Sequence, residues 1–185
     1  MIYYSNITIL GPSQAEVVGF LKGMGRKAYI SPTVDGFTVV YDSECDEAMD
    51  PRLTARLTSD ISKAFSCKAL AIINRYDYVL IYQLYECGRI IDEYFSVHDL
   101  FDFDVVTSYH VSGDVRAVCS AFGKSEDSLR LESVLAGDYD YEHKRHFDLV
   151  RTLGLPDIAV CAGYGSISAG ALPGGVKQCE IVRTT

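Results

Sequence analysis

Residues 69–95 read ALAIINRYDYVLIYQLYECGRIIDEYF, and this stretch decides the fold. Ala69 to Ile73 is a short apolar run that stops at Asn74-Arg75-Tyr76-Asp77, where the polar residues offer turn chemistry. Tyr78 to Tyr85 follows as eight β-branched, aromatic or long side chains, and Glu86-Cys87-Gly88-Arg89 supplies a second turn in which Gly88 can take a positive φ. Arg89 to Phe95 resumes the extended pattern. The result is a meander of three antiparallel strands. In its middle strand neither alternating set, Tyr78-Leu80-Tyr82-Leu84 or Val79-Ile81-Gln83-Tyr85, is plainly polar. Such a strand belongs inside a sheet with cover on both faces.

Working outward, Ile2 to Leu10 reads as a strand. A helix follows Gly11, opened by Pro12 and by the capping box Ser13-Gln14-Ala15-Glu16, with Val17, Val18, Phe20, Leu21 and Met24 on its inner face. Lys27 to Ser31 and Gly36 to Tyr41 form a hairpin across Pro32-Thr33-Val34-Asp35. The acidic run Asp42 to Glu47 has no hydrophobic period and reads as a solvated linker; it lacks the framework of a calcium loop. Asp50-Pro51 opens the clearest helix, with Leu53, Leu57, Ile61, Ala64 and Phe65 recurring every three or four residues.

Beyond the meander, Val97 to Val111 reads as a connection that folds Leu100, Phe101 and Phe103 inward and leaves Asp99, Asp102 and Asp104 in water. Three helices follow, Asp114 to Phe122, Ser125 to Leu135 and Tyr141 to Leu153, each stopped by a glycine. A short helix from Pro156 to about Ala162 precedes a Gly-rich tail. The expected architecture is a single α+β domain over residues 1–185 with the order β-α-β-β-α-β-β-β: a mainly antiparallel sheet in 1–96, a helical part in 112–162 and the tail in 163–185. The helices at 12–24 and 51–66 cover one sheet face, and the later helices cover an edge or the other face.

Short motifs in two places also resemble an uncharacterised bacterial family of small soluble proteins without a named activity. They are Gly88-Arg89-Ile90-Ile91-Asp92-Glu93-Tyr94, and Leu153-Gly154-Leu155-Pro156 followed by Ala159-Val160, Gly163-Tyr164 and Leu172-Pro173-Gly174. The resemblance implies a soluble, intracellular bacterial protein and brings no catalytic residues with it.

A net charge of −8 in 185 residues excludes partners bound through clustered Lys and Arg, namely nucleic acid and anionic membranes; Arg75, Arg89 and Lys144-Arg145 are scattered. No apolar run approaches the roughly 20 residues that span a bilayer, and the opening MIYYSNITIL is no secretory leader, so the expected location is cytoplasmic. The six widely spaced cysteines read as free thiols, with Cys119 and Cys161 as small core hydrophobes.

Candidate chemistry is sparse, and no cofactor is implied. His143 and His146, three apart on a helix and accompanied by Asp140 and Glu142, offer mixed nitrogen and oxygen ligands for a metal-dependent hydrolase. Cys119 or Cys161 with His110 or His146 would be needed for thiol catalysis. The tail Gly163 to Gly170 fits neither a dinucleotide loop nor a serine-hydrolase elbow. Asp92 and Glu93 point to opposite faces of their strand, and one is expected to turn inward toward Arg89 or a helix terminus. The chain carries thirteen tyrosines and no tryptophan. Five of these, Tyr76, Tyr78, Tyr82, Tyr85 and Tyr94, fall in or beside the meander, and tyrosine suits half-wet contact surfaces. The leading expectation is therefore a non-enzymatic module that binds another protein, or itself, through the meander and the adjoining acidic segment, with the metal-dependent hydrolase as the alternative.

Overall fold

The computed structural model describes residues 2–96 and 113–185. Its core is one seven-stranded antiparallel sheet in the order β6-β5-β4-β1-β3-β2-β7. The strands are β1 (Tyr4–Leu10), β2 (Ala28–Ile30), β3 (Phe37–Asp42), β4 (Lys68–Arg75), β5 (Val79–Glu86), β6 (Arg89–Phe95) and β7 (Val182–Arg183). The helices are α1 (Gln14–Gly23), α2 (Ser43–Ala48), α3 (Pro51–Ala64), α4 (Val115–Ala121), α5 (Ser128–Ala136), α6 (Glu142–Leu153) and α7 (Tyr164–Ser168). The α+β architecture expected from the pattern is the one observed. Among the described residues no helix is long and apolar enough to cross a membrane.

The meander forms through a three-residue connection, Tyr76 to Tyr78, and a two-residue turn, Cys87-Gly88, each with two successive positive φ values: Tyr76 (57°) with Asp77 (61°), then Cys87 (50°) with Gly88 (81°). That combination matches the right-handed twist of the flanking strands. β5 pairs with β4 from Lys68↔Glu86 to Arg75↔Val79 and with β6 on its other side. Both of its faces are covered, as its sequence requires. Leu80, Tyr82 and Leu84, with Leu70 and Ile72 of β4, pack under Val118, Leu131, Val134, Leu149, Val150 and Leu153 of α4, α5 and α6. On the opposite face Ile7, Ile9, Val40, Ala69 and Ala71 pack against Val17 and Leu21 of α1 and Leu57 and Ile61 of α3. Each such aliphatic side chain contributes about 1.5–3 kcal/mol when withdrawn from water.

Local signals account for the helix starts. Ser13 and Glu16 make the reciprocal capping box on α1, a cap that contributes about 1 kcal/mol. Asp50 accepts from the Arg52 amide at 2.8 Å just before Pro51 opens α3. Asp92 is the inward acid of the Asp92-Glu93 pair. It accepts from the Tyr82 hydroxyl at 2.6 Å and from the Asp114 amide at 2.9 Å, at the start of α4, and burial pushes it above the usual carboxylate range.

Three expectations are corrected. The acidic segment 42–47 is not a solvated linker. Asp42 caps α2 by accepting from the Cys45 amide at 3.0 Å and is held in a fork by Arg26, which also pairs with Glu44. Asp46 is buried and accepts from the Ser5 and Gly165 amides, each at 2.8 Å. A short helix spent on backbone donors from distant segments has no hydrophobic period to betray it. The Gly-rich tail is likewise built in: Tyr164 and Ile167 of α7 cover Val39 and Tyr41 together with Ile158 and Ile181, and β7 extends the sheet through Ile30↔Val182. The turn after Pro156 is a single 3₁₀ turn, Asp157–Ala159, in place of a helix to Ala162. The connection over 97–111 and His110 lie outside the described residues.

Candidate functional site

At one end of the sheet the β4–β5 turn is tied to the start of α6. Asn74, the penultimate residue of β4, accepts from the Asp77 amide at 3.0 Å, which folds the chain back on itself. Asp77 then reaches across to α6: its carboxylate accepts from the His143 amide at 2.7 Å and bonds His143 Nδ1 at 2.6 Å, while its carbonyl accepts from the Glu142 amide at 3.2 Å. The helix has no side-chain cap of its own at Tyr141. Asp77 supplies that cap from another element and satisfies amides that would otherwise face outward unpaired. Partial burial works against its charge, but the bonds from His143 and Asn74 outweigh this and hold the carboxyl below the usual range.

Tyr4 and His146 lie behind this turn. The Tyr4 hydroxyl is 2.7 Å from His146 Nδ1 and accepts from Asn74 Nδ2 at 3.4 Å. Burial pushes the Tyr4 phenol far up and His146 down to about 3. The single Tyr4 proton therefore goes to Nδ1 of a neutral imidazole, and the ring proton sits on Nε2, which has no hydrogen-bond partner among the described residues.

The proposed metal ligands are not brought together. His143 faces Asp77 at the surface, His146 is buried against Tyr4, and Glu142 is buried in an ion pair with Arg145 at 2.8 Å. Asp140 is exposed and pairs with Lys144 at 3.5 Å. Among the described residues no three His, Cys, Asp or Glu side chains are placed to share a metal ion. Arg145 is also engaged, donating to the Val134 and Leu135 carbonyls at 2.8 Å and so closing the end of α5.

The five meander tyrosines divide. Tyr82, Tyr85 and Tyr94 are buried: Tyr82 bonds Asp92 and stacks on Tyr94, whose hydroxyl donates to the Leu135 carbonyl at 2.7 Å. Helices α4 to α6 roof the even-numbered face of β5 and close over Tyr82 and Tyr94, while Tyr85 is on the other face. Tyr76 and Tyr78 lie beyond that roof, 58% and 72% exposed, and are joined by Tyr3 (54%) and Tyr141 (53%). Tyr3 sits 6.2 Å from Tyr76, and Tyr141 stacks on His143 at 5.8 Å between ring centroids. Four exposed tyrosines thus surround one turn. Tyr76 is moreover a bulky residue in left-handed backbone, a conformation costing on the order of 1 kcal/mol. Tyr3 and Tyr141 are absent from the sequence reading because only the fold carries them to Tyr76.

Beside this rim a cleft of about 520 Å³ opens between α6 and the segment after Asp157. Tyr139, His143, Lys144, Phe147 and Asp148 line one side, Val160 and Cys161 the other. Cys161 is not the core thiol expected from its neighbours: the residue is exposed, at φ 56°. Its sulfur is partly desolvated and lies near the charge of Asp77, and both effects push the thiol above its ordinary value. Cys119 is buried as expected, and the six cysteines are free.

Comparison with protein families, with curated proteins and with solved structures returned no match to this chain.

Proposed function

We propose that this chain is a protein-binding module whose contact surface is the tyrosine-rimmed sheet end formed by Tyr3, Tyr76, Tyr78 and Tyr141. The observation that carries the reading is the convergence of four half-exposed or more exposed tyrosines on a turn that the interior holds rigid. Asn74, Asp77 and the start of α6 fix Tyr76 in a strained conformation although its own ring is largely in solvent. Backbone strain without an internal packing reward is characteristic of positions kept for what they present outward. Tyrosine supplies large, stiff contact area with a polar tip, and a preset turn lowers the entropy lost on association.

The test uses purified chain as bait and measures the complex that it retains by light scattering. Tyr76→Ser with Tyr78→Ser is expected to weaken retention at least tenfold, the loss of one or two anchor side chains of about 2 kcal/mol each. Leu129→Ser, at an equally exposed apolar residue on α5, is expected to leave retention unchanged. Equal retention by the tyrosine variant and the wild-type chain would overturn the reading.

A further inference from the structure

We propose that Cys161, His143 and Asp77 form a thiol acyl-transfer site that accepts small apolar acyl groups from esters or thioesters. This goes beyond the binding reading and, Asp77 apart, places its chemistry on side chains outside the four surface tyrosines. His143 and Cys161 line opposite sides of one cleft. Asp77 engages His143 Nδ1 at 2.6 Å, and as a carboxylate it accepts, so Nδ1 carries a proton and, in the neutral ring, the lone pair is on Nε2. The same Asp77 accepts the His143 amide at 2.7 Å, so the imidazole is oriented from two directions. Asp77 acts here as a positioning residue. Cys161 is an exposed residue in left-handed backbone, at φ 56°, and lines the cleft. His143 and Cys161 line one cleft and Asp77 bonds His143 from a third element, which supplies the nucleophile, base and orienting acid that thiol acylation uses.

In the step itself, His143 Nε2 takes the proton from the Cys161 thiol as sulfur attacks the carbonyl carbon. The carbon–oxygen or carbon–sulfur bond to the leaving group breaks, that group departs with the proton from Nε2, and the acyl group remains on sulfur as a thioester. No electrons are exchanged with another reagent. Phe147, Val160 and the ring of Tyr139 give the cleft apolar wall area for a short hydrocarbon acyl chain, beside the polar Lys144 and Asp148.

The chain contains its own controls, since Cys87 and Cys179 are exposed thiols outside this cleft. With p-nitrophenyl butyrate as probe and peptide mass mapping as readout, Cys161 is expected to be butyrylated at least tenfold faster than either, with one equivalent of p-nitrophenolate released per thioester formed. Desolvation of its sulfur alone would make Cys161 the slower thiol, so the order of labelling separates a base-assisted site from a merely accessible one. His143→Ala is expected to lower the Cys161 rate at least tenfold while Cys87 and Cys179 in the same molecules keep theirs. Asp77→Asn is expected to lower it less, again with the two control thiols unchanged, whereas a general loosening of the structure would raise all three. In urea the preference should vanish in every variant. Labelling of Cys161 no faster than Cys87 and Cys179 in the native chain, or an unchanged Cys161 rate in His143→Ala, would overturn the proposal.

Discussion

Gly163→Ala is expected to destabilise the protein by about 3–5 kcal/mol, lowering its melting temperature by on the order of 10 °C. The reason is space, not backbone preference: Gly163 has φ −139°, which any residue adopts. A Cβ there would lie 2.2 Å from Asp46 Oδ1 and 2.9 Å from the Tyr4 Cβ. Neither neighbour is free to move. Asp46 is held between the Ser5 and Gly165 amides, and Tyr4 is a fully buried strand residue bonded to His146. Moving Asp46 aside would leave the buried Ser5 amide and the Gly165 amide without their acceptor and separate β1, α2 and α7 at their common joint. Gly174→Ala, where nothing lies within 4 Å of the new atom, serves as the control and should cost little. Thermal and urea unfolding of the two variants decide the matter. A loss below about 1 kcal/mol in Gly163→Ala would mean that the joint yields easily and does not hold the tail to the sheet.

The second large effect is expected in acid. An unfolded histidine takes up a proton near pH 6.5, whereas His146 in the folded protein resists protonation until about 3 because no water reaches it. Between those values the unfolded chain binds the extra proton, so stability rises with pH. This contribution is fully present above about pH 6.5 and is lost as pH falls toward 3, at up to about 1.4 kcal/mol per pH unit. Buried Asp46 and the half-buried Asp92 and Glu93, all raised by desolvation, act in the opposite direction over the carboxylate range. They are common to wild type and variant, so the difference between the two isolates the histidine. Urea midpoints measured from pH 7.5 to 4.5 should fall steeply for the wild type and less steeply for His146→Leu, although the variant is less stable at neutral pH for want of an acceptor for Tyr4. Parallel curves would show that His146 is not kept neutral by the fold.

Much of the framework is legible in the residues themselves. Glycine at 88, the Ser13–Glu16 spacing and the Leu57–Ile61 stripe are each local causes with local consequences, and the corresponding turn, cap and helix form as read. What local pattern does not carry is any choice made by a distant partner. Asp46 looks like one solvated carboxylate among several, and only the return of residues 163–165 to β1 makes it a buried acceptor. Tyr82 and Tyr78 share one alternation, yet the helical roof covers the first and stops short of the second. For the candidate site the outcome is similar. Tyr76 is legible in the sequence as a turn residue, but Tyr78 reads as the start of the covered middle strand and is instead an exposed residue of the turn, and Asp77 acquires its role only by meeting the start of α6 sixty-six positions later. His143 and His146 share a helix, but a spacing of three divides rather than unites them here: one ring lies at the surface beside Asp77, the other inside against Tyr4.

A contact surface at the end of the sheet around Tyr76 is open to solvent footprinting of its tyrosines. Iodination of the isolated chain should modify Tyr3, Tyr76, Tyr78 and Tyr141 readily and leave Tyr4, Tyr41 and Tyr82, which are fully buried, untouched. In the complex that the chain retains, the first four should be protected together, while an exposed side chain elsewhere keeps its reactivity. Protection of all four supports the tyrosine-rimmed end as the interface. Undiminished modification of these four in a complex that has formed would contradict it and place the contact on another face.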